Sequence, residues 1–380
     1  MRWFIPLFFF VFLLMHLYAY LRLIRASVKS LYLKRFLLVL FAVGFFSPLV
    51  WRYADLHWHP VLAYWLALSG LLWIGFLFYM VVFGLFTDLY LLFVFLSKSL
   101  LGINPLPTPS RRAVLSFVLA LSLSLSAYGY YETLNLRVER FSLHSEKLKR
   151  RVKVLHISDL HLGPVMGMDK VRAVLEVYER EKPDLVVSTG DLVDGNMRNK
   201  LYLAEALASM KPPLGKYAVL GNHEYYRGVE QALEFTKRAG FKVLRGRALY
   251  LPEPNMSLVG IDDDDCRFFE ACEGSLSDEE VLTQARRDSF ILYLKHKPRL
   301  EGSSEKLFDL MLSGHTHGGV YYPVGRFILT HLFISDRGLH RLGSSYIYIS
   351  KGVGTGGPPI RLFSPPDVAI IELLPSDRHR

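Results

Sequence analysis

Four long apolar stretches crowd the first 131 residues, at positions 3–21, 36–51, 61–96 and 113–131. They constrain the chain more than any other feature, because about 20 apolar residues in a helix suffice to cross a bilayer. Stretch 61–96 is too long for one simple span and contains Gly84 and Asp88. It reads either as one long tilted helix with an interfacial tail or as two helices joined by a tight turn. Asp88 reads as an interfacial or turn acid, since no partner charge stands out near it in the sequence. Trp51, Trp58, Trp65, Tyr128, Tyr130 and Tyr131 fall near the span ends, where an interfacial aromatic belt belongs. Stretch 3–21 lacks a small-residue cleavage site and is followed by three further apolar stretches, so it is expected to stay in the mature chain.

Charge divides along the same line. Of 45 basic and 35 acidic residues, ten basic ones but only Asp55 and Asp88 lie within the first 131 positions. The other 35 bases and 33 acids nearly cancel. The formal +10 is therefore a topology signal between apolar segments and not a nucleic-acid surface, and no nucleic-acid partner is expected. A composition of 51% hydrophobic and 21% charged residues suits a chain shared between lipid and water. Cys266 and Cys272 are too few for a disulfide framework or a four-ligand zinc site, though an oxidising compartment would permit one bond between them.

From Leu134 onward, short apolar runs alternate with helical patterns, the signature of α/β layering. Strands are expected at 137–143, 152–158, 184–189, 216–220, 256–261, 290–295, 309–313, 346–350 and 368–373, and helices at 168–181, 200–210, 229–239 and 277–287. The last helix opens on Ser277 with Glu280 at the capping-box position. The strands that are apolar enough to be central end in carboxylates, amides or histidines, and the strand ends of an open α/β sheet are where ligands bind.

Read in order, those ends are Ser158-Asp159-Leu160-His161, Gly190-Asp191-Leu192-Val193-Asp194, Gly221-Asn222-His223-Glu224, Leu294-Lys295-His296-Lys297-Pro298 and Gly314-His315-Thr316-His317. Carboxylate oxygen, imidazole nitrogen and amide oxygen together suit Mn, Fe or Zn better than a soft thiolate metal. One carboxylate between two such groups can bridge two ions about 3.5 to 4 Å apart, the spacing that clamps an in-line displacement at phosphorus.

These residues resemble the calcineurin-like metallophosphoesterase family, whose pattern is Asp-any-His, Gly-Asp-two-Asp, Gly-Asn-His-Asp/Glu, a lone His and Gly-His-any-His. The resemblance covers residues 135–375. Ser-Gly-His-Thr-His-Gly-Gly at 313–319, the run from Gly352 to Arg361 and the multispan N-terminus look like the membrane-associated branch of YkuE-like and YaeI-like phosphoesterases. The resemblance implies a four-layer α/β/β/α metallophosphoesterase domain at 135–375, preceded by a bundle of transmembrane helices at 1–132. It implies one metal on Asp159, His161, Asp191 and His317, and a second on Asp191 as the bridge, Asn222, His296 and His315. His223 would be the catalytic histidine that binds no metal, paired with Asp194. His296 follows Lys295, where some members have Gly. The implied activity is phosphoric ester hydrolysis by a metal-bridged hydroxide, with two divalent transition-metal ions (Mn, Fe or Zn) as cofactors.

Anchoring makes sense for a phosphorylated substrate that is itself in the bilayer, such as a lipid-linked phosphate or pyrophosphate. The alternatives are a phosphodiesterase for soluble nucleotides, which the near-neutral catalytic half argues against, and a membrane receptor or scaffold that retains the fold without catalysis. His144, His331 and His340 match no motif and read as surface or loop residues. The run from Asp262 to Asp265 reads as a solvated turn. The stretch 352–366 is either a wall of the substrate cleft or a simple connection. The loop with Arg22, Arg25, Lys29, Lys34 and Arg35 is the densest short basic loop, so positive-inside bias places it in the cytoplasm. With an even count of spans, four helices, the catalytic domain of this multi-pass cell-membrane protein is then expected on the outer face; if 61–96 crosses twice, giving five, it is expected in the cytoplasm.

Overall fold

The computed structural model describes residues 4–103, 107–274, 277–302, 304–321 and 324–376. It divides into two compact units, Met1–Tyr131 with Gly357–Ile360, and Glu132–Gly356 with Arg361–Arg380.

The first unit is helical. Helix α1 (Phe4–Leu17) runs into a π-helical segment, Tyr18–Arg25, and is followed by α2 (Leu31–His57), α3 (Pro60–Leu101) and α4 (Arg111–Thr133). Among the described residues, four helices are long and apolar enough to cross a membrane. Stretch 61–96 is thus one continuous helix; α3 begins with Pro60 at its first turn, where the missing N–H has no partner to lose, and stops at Gly102 in the left-handed conformation. Phe12, Ala19, Leu23, Phe41, Leu77, Met80 and Val118 pack a narrow core. Leu7, Val39, Val43, Phe86, Phe93 and Phe117 are exposed, as side chains facing lipid would be. Asp88 is not in a turn: it lies within α3, and it has a partner charge after all, Arg22, with its Oδ1 2.5 Å from a guanidinium nitrogen. The sequence separation of 66 between the partners explains why the sequence hides the pair.

The second unit is built on twelve strands: β1 (Arg137–Ser145), β2 (Val152–Ile157), β3 (Leu185–Ser188), β4 (Lys216–Ala218), β5 (Lys242–Val243), β6 (Arg247–Leu251), β7 (Met256–Gly260), β8 (Phe290–Leu294), β9 (Leu310–Ser313), β10 (Gly338–Leu342), β11 (Ser345–Ile349) and β12 (Asp367–Pro375). They form two six-stranded sheets, in the orders β1-β12-β2-β3-β4-β5 and β10-β11-β9-β8-β7-β6. Neighbours β2, β3, β4 and β5 are parallel, as are β7, β8, β9 and β11.

Period-2 geometry sorts the apolar residues into layers. Val152 and Val154 of β2 meet Phe290, Leu292 and Leu294 of β8 and Leu310 and Leu312 of β9 in a core between the sheets. Leu155 and Ile157 face the other way, against Val171 and Val174 of α5 (Met168–Glu181), Leu203 of α6 (Leu201–Ala208) and Phe235 of α8 (Val229–Arg238). On the far sheet, Ile291, Tyr293 and Met311 pack beneath Val281 and Leu282 of α9 (Asp278–Leu282). The layering is α/β/β/α, with strands apolar on both faces because both faces are covered. Two further helices complete the unit, α7 (Asn222–Arg227) and α10 (Val324–Leu332).

Helix 277–287 is shorter than expected. Ser277 caps it by accepting from the Glu280 N–H, but α9 ends at Leu282, and Gln284 instead bonds the backbone of Gly246 and Ala248 at the edge of β6. The Asp262–Asp265 run is not a solvated turn. Asp262 and Asp263 are buried; Asp262 pairs with Arg245 at 2.7 Å, while Lys297 bridges Asp263 and Asp265 at 2.7 and 2.9 Å.

Candidate metal centre

The carboxyl ends of five strands, drawn from both sheets, build the site. Asp159 and His161 follow β2, Asp191 and Asp194 follow β3, and Asn222 and His223 open α7 just beyond β4. His296 follows β8, and His315 and His317 follow β9. Each chain must turn sharply there. Nine described non-glycine residues have a left-handed backbone, and five of them are Asp159, His161, Asp191, His315 and His317, with φ between 48° and 69°. Such conformations persist at functional sites because the surrounding structure over-determines them. Gly190 has φ of 100°, and a Cβ there would sit 2.4 Å from the Gly221 nitrogen, so only glycine lets the β3 and β4 loops approach.

All nine residues expected from the sequence come together. Asp159, His161 and His317 form one group of converging ligand atoms, and Asp191, His296 and His315 another. The His161 and His317 Nε2 atoms are 3.0 Å apart, and the His315 Nδ1 is 3.2 Å from the His296 Nε2. Asp191 Oδ2 lies 3.2 Å from His296 Nε2 and 3.6 Å from His161 Nε2, so one carboxylate oxygen faces both groups. The Asn222 Oδ1 is 3.1 Å from His296 Nε2. The His296 Nδ1 donates to the Thr189 carbonyl at 2.8 Å, which turns Nε2 into the site.

Beside this set stands His223, whose Nδ1 donates to Asp194 Oδ1 at 2.8 Å. The His223 ring meets that of His161 edge to face, 4.6 Å between centroids. Burial lowers the His223 pKa, but Asp191 and Asp194 outweigh it and lift the imidazole to about 9. His161, His315 and His317 sit well below the ordinary histidine range, burial being the main cause. Burial likewise pushes Asp159 up to about 6, although His296 opposes it.

Three supporting residues lie outside the expected ligand and catalytic set. Glu224 is buried and accepts four backbone N–H bonds, from Asp191 and Gly221 at one oxygen (2.9 and 2.7 Å) and from Leu192 and Val193 at the other (2.6 and 3.1 Å). It ties the loop bearing Asp191 to the loop bearing Asn222. Arg227 donates to Asp194 at 2.8 Å, so His223 and Arg227 share one carboxylate. Arg361, wholly buried, places a guanidinium nitrogen 2.9 Å from His317 Nδ1 and donates to the carbonyls of Lys351, Gly352 and Gly354. The segment around Gly354 is therefore more than a connection: a Cβ on Gly354 would lie 2.0 Å from the Leu160 carbonyl. Only the spacing of Glu224 within its motif was a signal. His331 and His340 lie away from the site on α10 and β10, bonding the Phe327 and Arg337 carbonyls, and His144 is exposed on β1.

The chemistry of this donor set fits a pair of divalent cations. Asp159 and Asp191 are 0% and 2% exposed, and neither has a Lys or Arg partner among the described residues. Buried carboxylates without a basic partner are otherwise costly. His161, His315 and His317, kept neutral by burial, offer lone pairs rather than charge, whereas at His296 burial is outweighed by Asp191 and Asp159, which lift it to about 10, so His296 would have to give up a proton to bind an ion.

A four-layer sandwich with its polar cluster at the carboxyl ends of parallel strands is the metallophosphoesterase fold. The calcineurin-like phosphoesterase family model matches residues 152–319. An uncharacterized metallophosphoesterase of Aquifex aeolicus is 52% identical over 255 residues, covering 66% of this chain and 96% of that one. A transmembrane protein with metallophosphoesterase domain from Danio rerio is 30% identical over 331 residues, 82% of this chain and 74% of its own. The uncharacterized metallophosphoesterase YkuE of Bacillus subtilis is 27% identical over 230 residues, 58% of this chain and 78% of its own. The chain belongs to the calcineurin-like metallophosphoesterase family.

Proposed function

We propose that the chain is a membrane-anchored, multi-pass phosphoesterase that uses two divalent transition-metal ions to hydrolyse a phosphate ester or pyrophosphate bond. The observation that carries this reading is the position of Asp191, one carboxylate oxygen within 3.6 Å of ligand nitrogens from both groups. Asp159, His161, Asp191 and His317 would hold one ion, and Asp191, Asn222, His296 and His315 the other. Bound there, the ions would supply Lewis-acid charge at the phosphoryl group and lower the pKa of water. Asp194 holds His223 by Nδ1, leaving Nε2 to donate to the departing oxygen, a role worth about 10²- to 10⁴-fold. Arg227 shares Asp194 and adds positive charge beside the same imidazole.

The substrate we favour is a lipid-linked phosphate or pyrophosphate, a reading supported by the four helices long and apolar enough to cross a bilayer that precede the catalytic unit in the chain. The continuity of α3 supports an even number of crossings, and the basic loop at 22–35 supports a cytoplasmic position between the first two helices. Both support an outward-facing catalytic unit, as does the disulfide between Cys266 and Cys272. A reporter active only after export, fused at Arg380, should be active; activity instead of a cytoplasm-only reporter at that site reverses the assignment.

The central test uses full-length protein in detergent, assayed against phospholipids, isoprenoid phosphates, cyclic nucleotides and p-nitrophenyl esters with Mn, Fe, Zn and Mg. Hydrolysis of at least one phosphate ester with two metal equivalents bound is expected. A ceiling of one equivalent under every loading condition refutes the dinuclear reading.

A further inference from the structure

At one end of the helical unit, α1 finishes, α2 begins, α3 finishes and α4 begins. The Ser27 hydroxyl donates to the Arg111 carbonyl at 3.0 Å, and the Tyr20 hydroxyl to the Lys34 carbonyl at 3.0 Å, joining these ends. All the basic residues of the first 131 except Arg2 and Arg52 fall in these ends and their connections. A basic end alone needs no ligand, since topology explains it. What singles out a site is a cavity of about 490 Å³ between the ends, lined by Arg22, Ser27, Leu91, Pro109, Arg111 and Val114 among others.

Its two guanidiniums differ in how they are held. Arg22 is fixed by Asp88, whose other oxygen accepts from the Tyr18 hydroxyl at 2.9 Å, and Arg22 still keeps a side chain 38% exposed. Arg111 has no acidic partner among the described residues, and its backbone is pinned by Ser27. Arg22 lies in the π-helical segment, a distortion that alters the face this turn presents. Asp88 is consumed by Arg22, and the only other acid before residue 132 is Asp55, near the end of α2 away from this face. The cavity is therefore cationic at its polar side and apolar along Leu21, Leu91 and Val114.

We propose that this cavity binds the phosphate of an anionic lipid headgroup, with the acyl chains running along the apolar wall. Arginine pairs with phosphate through parallel N–H bonds, and basic pockets between membrane helices suit such headgroups. The site rests on the membrane reading of these helices but is separate from the metal centre, so its failure leaves the proposed hydrolysis untouched.

Native mass spectrometry of the full-length protein, titrated with phosphatidylglycerol, phosphatidylcholine or inorganic phosphate, tests it. Phosphatidylglycerol should be retained over phosphatidylcholine. Arg111→Gln, and the charge-balanced double variant Arg22→Gln with Asp88→Asn, should each weaken that retention about five- to tenfold. Arg112→Gln, outside the cavity lining, should leave it unchanged. Equal weakening by Arg112→Gln would mean diffuse surface attraction and would overturn the site. Binding of inorganic phosphate at the same affinity as the lipid would overturn the lipid assignment. If the double variant proves polydisperse, Arg111→Gln alone decides.

Discussion

Replacing Glu224 by Gln changes one oxygen to an amide nitrogen and nothing in size. The carboxylate now accepts four backbone N–H groups, two at each oxygen. In Glu224→Gln, one pair of these amides faces a donor instead of an acceptor, whichever way the side chain turns. Burial pushes the Glu224 carboxyl up to about 7, so the comparison belongs above that pH, where hydrogen bonds to the charged acceptor contribute about 1.5 to 3 kcal/mol each and the loss of two amounts to roughly 3 to 6 kcal/mol. For a unit of this size each kcal/mol moves the melting temperature by about 2 to 4 °C. A fall of about 6 to 24 °C is expected by scanning fluorimetry of the full-length protein in detergent. Because the same carboxylate bonds the Asp191 and Gly221 nitrogens, metal content should fall with it, and Glu224→Asp, one methylene too short to reach all four, should be no better. A melting temperature within about 2 °C of the parent, with metal loading unchanged, refutes the idea that Glu224 holds the two loops together.

Asp191→Asn should abolish turnover and lower metal content, whereas His223→Ala should cut turnover by about 10²- to 10⁴-fold and leave metal content, measured by elemental analysis, unchanged. Gly354→Ala forces a Cβ to 2.0 Å from the Leu160 carbonyl, between Asp159 and His161, so the melting temperature and metal loading should both drop. Arg245→Met leaves Asp262 buried without its partner and should cost about 3 to 5 kcal/mol in denaturant titration. Chelation of the loaded protein should lower its melting temperature, since Asp159 and Asp191 lose compensation, and Mn should restore it; an unchanged melt would mean that the carboxylates are balanced in another way.

The legibility of the fold follows burial. The nine strands expected from the sequence are present, and those flanked on both faces, such as Phe290–Leu294, announce themselves as unbroken apolar runs. The three missed strands, Lys242–Val243, Arg247–Leu251 and Gly338–Leu342, are two residues long or half-exposed at a sheet edge, so they carry no such signal. The ligand residues were legible because each sits within a few residues of its own strand end. Arg22 with Asp88, Arg361 with His317 and Arg245 with Asp262 were not, because each pair is joined only by the tertiary fold, across 66, 44 and 17 residues.

The left-handed backbone at Asp159, His161, Asp191, His315 and His317 sets stability against chemistry. Each such residue holds roughly 1 to 2 kcal/mol of unfavourable conformation, and glycine would relieve it. Folded domains have a margin of only about 5 to 15 kcal/mol, so five such residues weigh heavily on it. Random mutagenesis judged on heat resistance alone, with a chelator present so that the ligands confer nothing, would therefore drift toward glycine at the histidine positions, enriching hardened proteins that do nothing. Directed evolution of this scaffold has to select on turnover in every round, because robustness and reactivity compete for the same few dihedral angles.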